Sequence, residues 1–260
     1  MKKIRNFILI LLILQVISCS DSKINFNDLR SRIQELKQRG SGQNTANLQN
    51  TVKETEELLN ICLSAFENQY QALRYLGVQC LQRQMYDAAI ENLNKALKIK
   101  SEDADLHYYL AIAYANKGKR DSSYNFKAEQ EYKEALILQP NNSLALYSLG
   151  ILYYYHLNQK DMAMEVMNKS YQNAAKYEYK PSAMLARFYL EKNEFGEAVK
   201  YYKDAAERVS SPKIKAKLLL NAGIVYQKMN DNINAKIYFQ NSLKLDDSLQ
   251  EAKNLLSLVK

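Results

Sequence analysis

A constellation of residues that returns about every 34 positions limits what this chain can fold into. Leu73, Leu76 and Cys80 stand at i, i+3 and i+7, the spacing of one helix face. Ala89, Leu93 and Ala96 form a second such face, and the polar Gln82-Arg83-Gln84 between them gives the chain room to reverse. Gly77 and Ala89 are small enough for two helix backbones to approach closely. Such a unit cannot bury its apolar face alone; it must stack on copies of itself.

The copies are present. Leu110-Ala111 and Tyr114 lead to Ala128, Tyr132, Ala135 and Pro140. Leu149-Gly150 and Tyr153 lead to Ala163, Met167 and Ser170. Leu185-Ala186 and Tyr189 lead to Phe195, Ala198, Tyr202 and Ala205; Ala222-Gly223 and Tyr226 lead to Ala235, Phe239 and Ser242. Five tandem units thus run over 70–103, 104–142, 143–178, 179–215 and 216–249. Together they resemble the tetratricopeptide repeat (TPR) family. That resemblance implies an all-α fold, a right-handed superhelical solenoid of antiparallel helix pairs. The departures are the absence of Trp, Cys80 where the family prefers Tyr, and a closing proline in the second unit alone, Pro140. With 7 Gly and 3 Pro in 260 residues, long uninterrupted helices are possible.

The leader differs in kind. Lys2, Lys3 and Arg5 precede an apolar run from Phe7 to Ile17, broken only by Gln15. A transmembrane helix needs about 20 apolar residues, so residues 1–18 read as a secretory signal. The run ends Val16-Ile17-Ser18-Cys19, which resembles a bacterial lipobox and implies acylation of Cys19. An ordinary signal peptide with an incidental Cys is the other reading. Residues 19–26 would be a short tether. Asn27 reads as an N-cap before Leu29, Ile33 and Leu36, and Gly40-Ser41-Gly42-Gln43-Asn44 ends that helix. A longer helix carries Leu48, Val52, Leu59, Leu63 and Phe66. The segment 27–69 reads as an N-terminal helical cap or a decayed repeat. At the other end, Ser248-x-x-Glu251 has capping-box spacing and opens a closing helix over 250–260, with Ala252, Leu255, Leu256 and Val259 on one face.

Catalytic chemistry has little to stand on. His107, at the first aromatic position of its unit, is expected to pack, and His156 to be exposed at a helix end. Neither has zinc-motif spacing, there is no Gly-rich phosphate loop, and no triad can be assembled. No enzyme, metal or cofactor is therefore expected. Without Lys2, Lys3 and Arg5, 33 basic residues face 28 acidic ones, a mild and dispersed +5 that does not argue for nucleic acid. Lys117, Lys119, Arg120 and Lys127 fall in extra residues of the second unit, either a basic contact loop or a tolerated insertion. Cys62 and Cys80 lie on apolar stripes, as buried thiols or as a disulfide.

Function is then expected on one face. By the resemblance, the first helix of each pair lines a concave groove. The groove positions include Arg74, Tyr108, Ile112, Tyr147, Ile151, Tyr154, Tyr155 and Arg187, with Leu220 and Ile224 in the last unit. Aromatic and apolar in the middle, basic toward the ends, they suit a protein or peptide with an apolar anchor and an acidic flank. Leu110, Tyr114, Leu149 and Tyr153 are the core positions of the same helices. The expected protein is a lipid-anchored TPR adaptor in a bacterial cell envelope. The alternatives are an accessory lipoprotein of a transporter, marked by a closed ligand cavity, and an envelope- or pilus-assembly factor.

Overall fold

The computed structural model describes the backbone of residues 46–259 and the side chains of residues 64–259. The expected signal sequence, Cys19, the expected tether, the helix expected from Asn27, the break expected at 40–44 and the Cys62 side chain lie outside the described residues. The chain divides into two units, Met1–Ala72 and Leu73–Lys260.

Every regular element among the described residues is a helix. The first, α1, runs Ala46–Gln82 over 37 residues. Where the sequence draws a boundary at 69/70, α1 continues, because no Gly or Pro interrupts the stretch from Ala46 to Leu76. From there the second unit alternates first and second helices. Following α1 come α2 (Tyr86–Ile99), α3 (Ala104–Gly118), α4 (Ser123–Leu138), α5 (Ser143–Tyr155) and α6 (Lys160–Asn173). The rest are α7 (Lys180–Glu191), α8 (Phe195–Arg208), α9 (Pro212–Lys228), α10 (Asn232–Leu245) and α11 (Gln250–Leu258). Contacts run between helices adjacent in the chain, with a smaller set between α3 and α5. The fold is an all-α solenoid of antiparallel helix pairs, as the resemblance implies.

The small residues explain why the pairs close. A Cβ on Gly77 would come within 2.7 Å of the Leu93 side chain, and one on Gly223 within 2.7 Å of the Phe239 ring. Leu93 and Phe239 are fully buried, each contributing roughly 1.5–3 kcal/mol of apolar burial. Ala89, Ala128, Ala163, Ala198 and Ala235 are all fully buried at the facing positions of the second helices. Two buried hydroxyls tie the ends of pairs together. Ser170 Oγ donates to the Ser143 carbonyl and Ser242 Oγ to the Ala216 carbonyl, each at 2.8 Å.

The reversals use a shared device. Gln84, Asn158, Asn193 and Asn230 lie at φ of 60°, 53°, 59° and 60°, each two residues before a second helix begins. A left-handed residue lets later amides turn back onto the last carbonyls of the preceding helix. The amides of Met85, Glu194 and Asp231 bond the carbonyls of Cys80, Tyr189 and Tyr226 at 2.8–2.9 Å. The longer second unit reverses instead through Lys119–Ser122, and Lys119 is right-handed at φ −64°. Much of its extra length is helix rather than loop.

Two expectations at the C-terminus need correction. The Ser248 hydroxyl donates to Asp246 Oδ1 at 2.5 Å, and the N-cap of α11 is Leu249, so no capping box forms. Leu220 does not line an open face. It is buried with Phe239, Ala252 and Val259, and Ile224, Leu255 and Leu256 pack on that cluster. No described helix is long and apolar enough to cross a membrane.

Candidate functional site

The face made by α3 and α5 carries an open pocket of about 220 Å³. From α3 and its C-cap come Ile112, Ala115, Asn116 and Lys119. From α5 and its C-cap come Tyr147, Ser148, Ile151, Leu152 and His156, and Tyr132 of α4 reaches the lining from behind. The 3.6-residue period explains the grouping. Ile112, Ala115 and Asn116 are three and four apart on α3, as are Tyr147, Ile151 and Ser148, Leu152 on α5. The walls are mostly apolar, and one end carries Asn116, Lys119 and His156.

Of the expected groove residues, Ile112, Tyr147 and Ile151 meet in this pocket. Tyr108 stands beside it, half-buried, with its ring 6.2 Å from that of Tyr132. Burial holds the Tyr108, Tyr132 and Tyr147 phenols above their ordinary pKa, while a bond to Ser148 works the other way at Tyr108 and Tyr132. These tyrosines keep their protons at neutral pH and offer hydroxyls from apolar walls.

Tyr154, Tyr155 and Arg187 form a second group across α5 and α7. Tyr154 donates its hydroxyl to Glu191 and packs edge-on to Phe188 at 5.0 Å. Arg187 Nη1 donates to Tyr155 Oη at 2.6 Å, and its Nε lies 3.6 Å from Glu191. Lys160 bonds Glu191 at 3.1 Å. Burial, with the bond to Glu191 behind it, pushes Tyr154 up to about 12. Burial opposes ionisation of Glu191, but the bonds from Tyr154 and Lys160 outweigh it and hold the carboxyl below its ordinary range. Arg74 stands apart, paired to Asp105 at 2.9 Å. Both arginines that the sequence offers to an acidic flank therefore have carboxylate partners within the molecule.

Two further expectations change. Tyr114 is half-buried rather than core, stacked on Tyr124 at 6.0 Å with Lys127 over its ring at 5.8 Å. His156 lines the pocket instead of standing free in solvent. Burial, then the charge of Lys119, keeps its imidazole below the ordinary pKa, so it is neutral at pH 7. His107 packs as expected, its ring bonded to Glu131 at 2.7 Å and to the Ser101 carbonyl at 3.2 Å. The basic stretch is largely occupied. Lys117 pairs with Asp87 and lies 4.3 Å from the centre of the Tyr124 ring, and Lys127 lies over Tyr124 at 5.3 Å. Cys80 is a half-buried free thiol. No group of three or more His, Cys, Asp or Glu able to hold a metal occurs among the described residues.

Comparison with known proteins identifies the repeats. A TPR-repeat model matches residues 77–118, and a tetratricopeptide-repeat model matches 181–208 and 216–249. A TPR repeat-containing protein of Borreliella burgdorferi is 22% identical over 221 residues, spanning 80% of this chain and 93% of that one. Among solved structures, MamA from Desulfovibrio magneticus superposes with a TM-score of 0.58 at 20% identity, covering 70% of this chain and 97% of that one. YrrB, a TPR protein with an unusual peptide-binding site, gives a TM-score of 0.56 at 18% identity over 72% of this chain and 93% of its own. Repeat spacing, helix pairing, glycine contacts and these matches agree: the chain carries tetratricopeptide repeats.

Proposed function

We propose that this chain is an adaptor that binds a protein or peptide partner across α3 and α5, and that it does so in a bacterial cell envelope, anchored through acylated Cys19. One observation carries the binding role. Ile112, Tyr147 and Ile151 line an open pocket while Leu110, Leu149 and Tyr153 of the same helices are buried in the core. These side chains pack partly on the core yet keep an accessible surface, and apolar patches of that kind serve contacts. The pocket opens to solvent, which favours a chain segment over a small ligand sealed in a cavity. The peptide-binding site of the structurally similar YrrB is in keeping with this reading. The anchor rests on the apolar run ending at Ser18-Cys19. Two or more acyl chains would make attachment stable, whereas one holds only weakly.

Tyr147→Ala and Ile151→Ala each remove a pocket wall. We expect each to weaken partner binding by about 1–3 kcal/mol with the fold intact, since interface energy concentrates in a few large side chains. Tyr154→Ala is a less clean test, because Tyr154 also holds Glu191 and Phe188. Tyr153→Ala, at a residue 1% exposed, is expected to lower the melting temperature steeply. The partner is to be captured from detergent-solubilised envelope with the full chain as bait, then titrated. Full affinity in a folded Tyr147→Ala/Ile151→Ala variant would move the site off this face. Cys19→Ala is expected to leave the protein unprocessed or soluble; normal cleavage and detergent partitioning in that variant would remove the anchor.

A further inference from the structure

The pocket between α3 and α5 has a chemical polarity that narrows its ligand. Its lining contains one cation, Lys119, and no carboxylate. The Lys119 ammonium bonds the neutral Asn116 Oδ1 at 2.7 Å, and Asn116 in turn donates to the Ile112 carbonyl at 2.9 Å. Asn116 therefore fixes Lys119 at the pocket mouth without neutralising it. Every other basic side chain singled out on this face, Arg74, Arg187 and Lys160, has a carboxylate within 4 Å. His156 closes the same end from the C-cap of α5. Neutral at pH 7, it has one ring N–H to donate. The α5 carbonyls of Leu152 and Tyr153 already accept from the amides of His156, Leu157 and Gln159. They are thus capped by backbone rather than by Lys119.

Resting on the groove reading above, we propose that this pocket takes a large apolar side chain of a peptide segment, and that Lys119 and His156 hold a carboxylate on the adjacent residue. The volume suits the first half, since an apolar cavity of roughly 150 Å³ holds a benzene ring and this one is about 220 Å³. The charge suits the second. One ammonium and one neutral imidazole match a single negative charge, whereas a phosphate brings nearly two charges and several acceptor oxygens. The acidic flank expected beside Arg74 or Arg187 is thereby relocated. Those guanidiniums would have to leave Asp105 or Glu191 to bind it; Lys119 has no ion pair to break among the described residues.

A phage-displayed random peptide library panned on the purified full chain in detergent tests this directly. The enriched peptides are expected to pair a large apolar residue with a neighbouring Asp or Glu. Replacing that acid by its amide, or Lys119 by Glu, is expected to weaken binding about tenfold. Lys119→Glu panned separately should favour Lys or Arg at that position. Lys119 is exposed, so the variant keeps the fold. Enriched peptides without an acid, or affinities within about twofold in Lys119→Glu, overturn the proposal. Peptides that lose binding in Tyr147→Ala yet ignore Lys119→Glu overturn it while leaving the groove reading standing. Peptides indifferent to both variants bind elsewhere and remove that reading too. A library yielding no binder overturns the pocket assignment alone, the groove being judged by its own variants.

Discussion

At the scale of the residue, two glycines with the same chemistry should respond oppositely to one methyl group. A Cβ on Gly196 in α8 would have nothing within 4 Å, whereas one on Gly223 in α9 would meet Phe239 at 2.7 Å and Tyr238 Cβ at 3.2 Å. Neither has a positive φ, so only space and propensity differ. Alanine gains up to about 1 kcal/mol over glycine in a helix. Overpacking a filled core costs about 1–3 kcal/mol. Gly196→Ala should raise the midpoint of urea unfolding, and Gly223→Ala should lower it; equal shifts would contradict the α9–α10 packing. Gly223 was legible in the sequence because it recurs at a fixed offset from Tyr226 and Phe239. The partner of Arg74 and the tyrosine partner of Arg187 were not. Asp105 stands 31 positions beyond Arg74, and Tyr155 stands 32 before Arg187. Nothing in the local pattern ties such residues together. Lys119 and His156 escaped for the same reason, being brought to one pocket by the stacking of neighbouring units.

At the scale of the element, the helices were readable and their ends less so. Apolar offsets locate helix faces well, which is why Ala89, Leu93 and Ala96 are all fully buried. Turn chemistry carries the missing signal: Asn158, Asn193 and Asn230 occupy equivalent left-handed positions, and asparagine tolerates that region better than most residues. Gln84 is the exception, at φ 60°. Gln84→Asn should stabilise the protein by a few tenths to about 1 kcal/mol, seen as a higher urea midpoint with an unchanged slope. A lower midpoint would mean that the Gln84 side chain contributes more than its backbone strain costs. Ala198 gives the converse test. It is fully buried between α7 and α8, and Ala198→Leu should cost about 1–3 kcal/mol in the same assay. The Ser248-x-x-Glu251 spacing failed as a cap because Asp246 offered the Ser248 hydroxyl a nearer acceptor.

At the scale of the whole molecule, the 20 tyrosines make stability depend on alkaline pH. Burial raises the phenol pKa of Tyr108, Tyr132, Tyr147, Tyr153, Tyr201, Tyr202 and Tyr226, and takes Tyr154 up to about 12. Unfolded tyrosine ionises near about pH 10. Above that value the folded state binds more protons than the unfolded one, so the derivative of stability with pH is negative. The contribution is complete below about pH 10 and is lost as pH climbs through the folded values. Melting temperature should fall from about pH 10 upward, with tyrosinate absorbance developing in more than one step. A single step near pH 10 with a flat melting curve would contradict the burial of these phenols.

The near-exclusive contact of each helix with its neighbours in sequence also sets a schedule. A chain emerging end first can fold each pair and dock it on the pair before it, because what a pair packs against lies in its neighbouring units. Assembly can therefore keep pace with synthesis or with passage across a membrane, one hairpin at a time. Each pair leaves an apolar face open until the next arrives, and for α9 and α10 the cover over Leu220 and Phe239 is α11. A chain truncated just before Gln250 would keep the earlier pairs and expose one sticky end, and that end is where a chaperone would be needed.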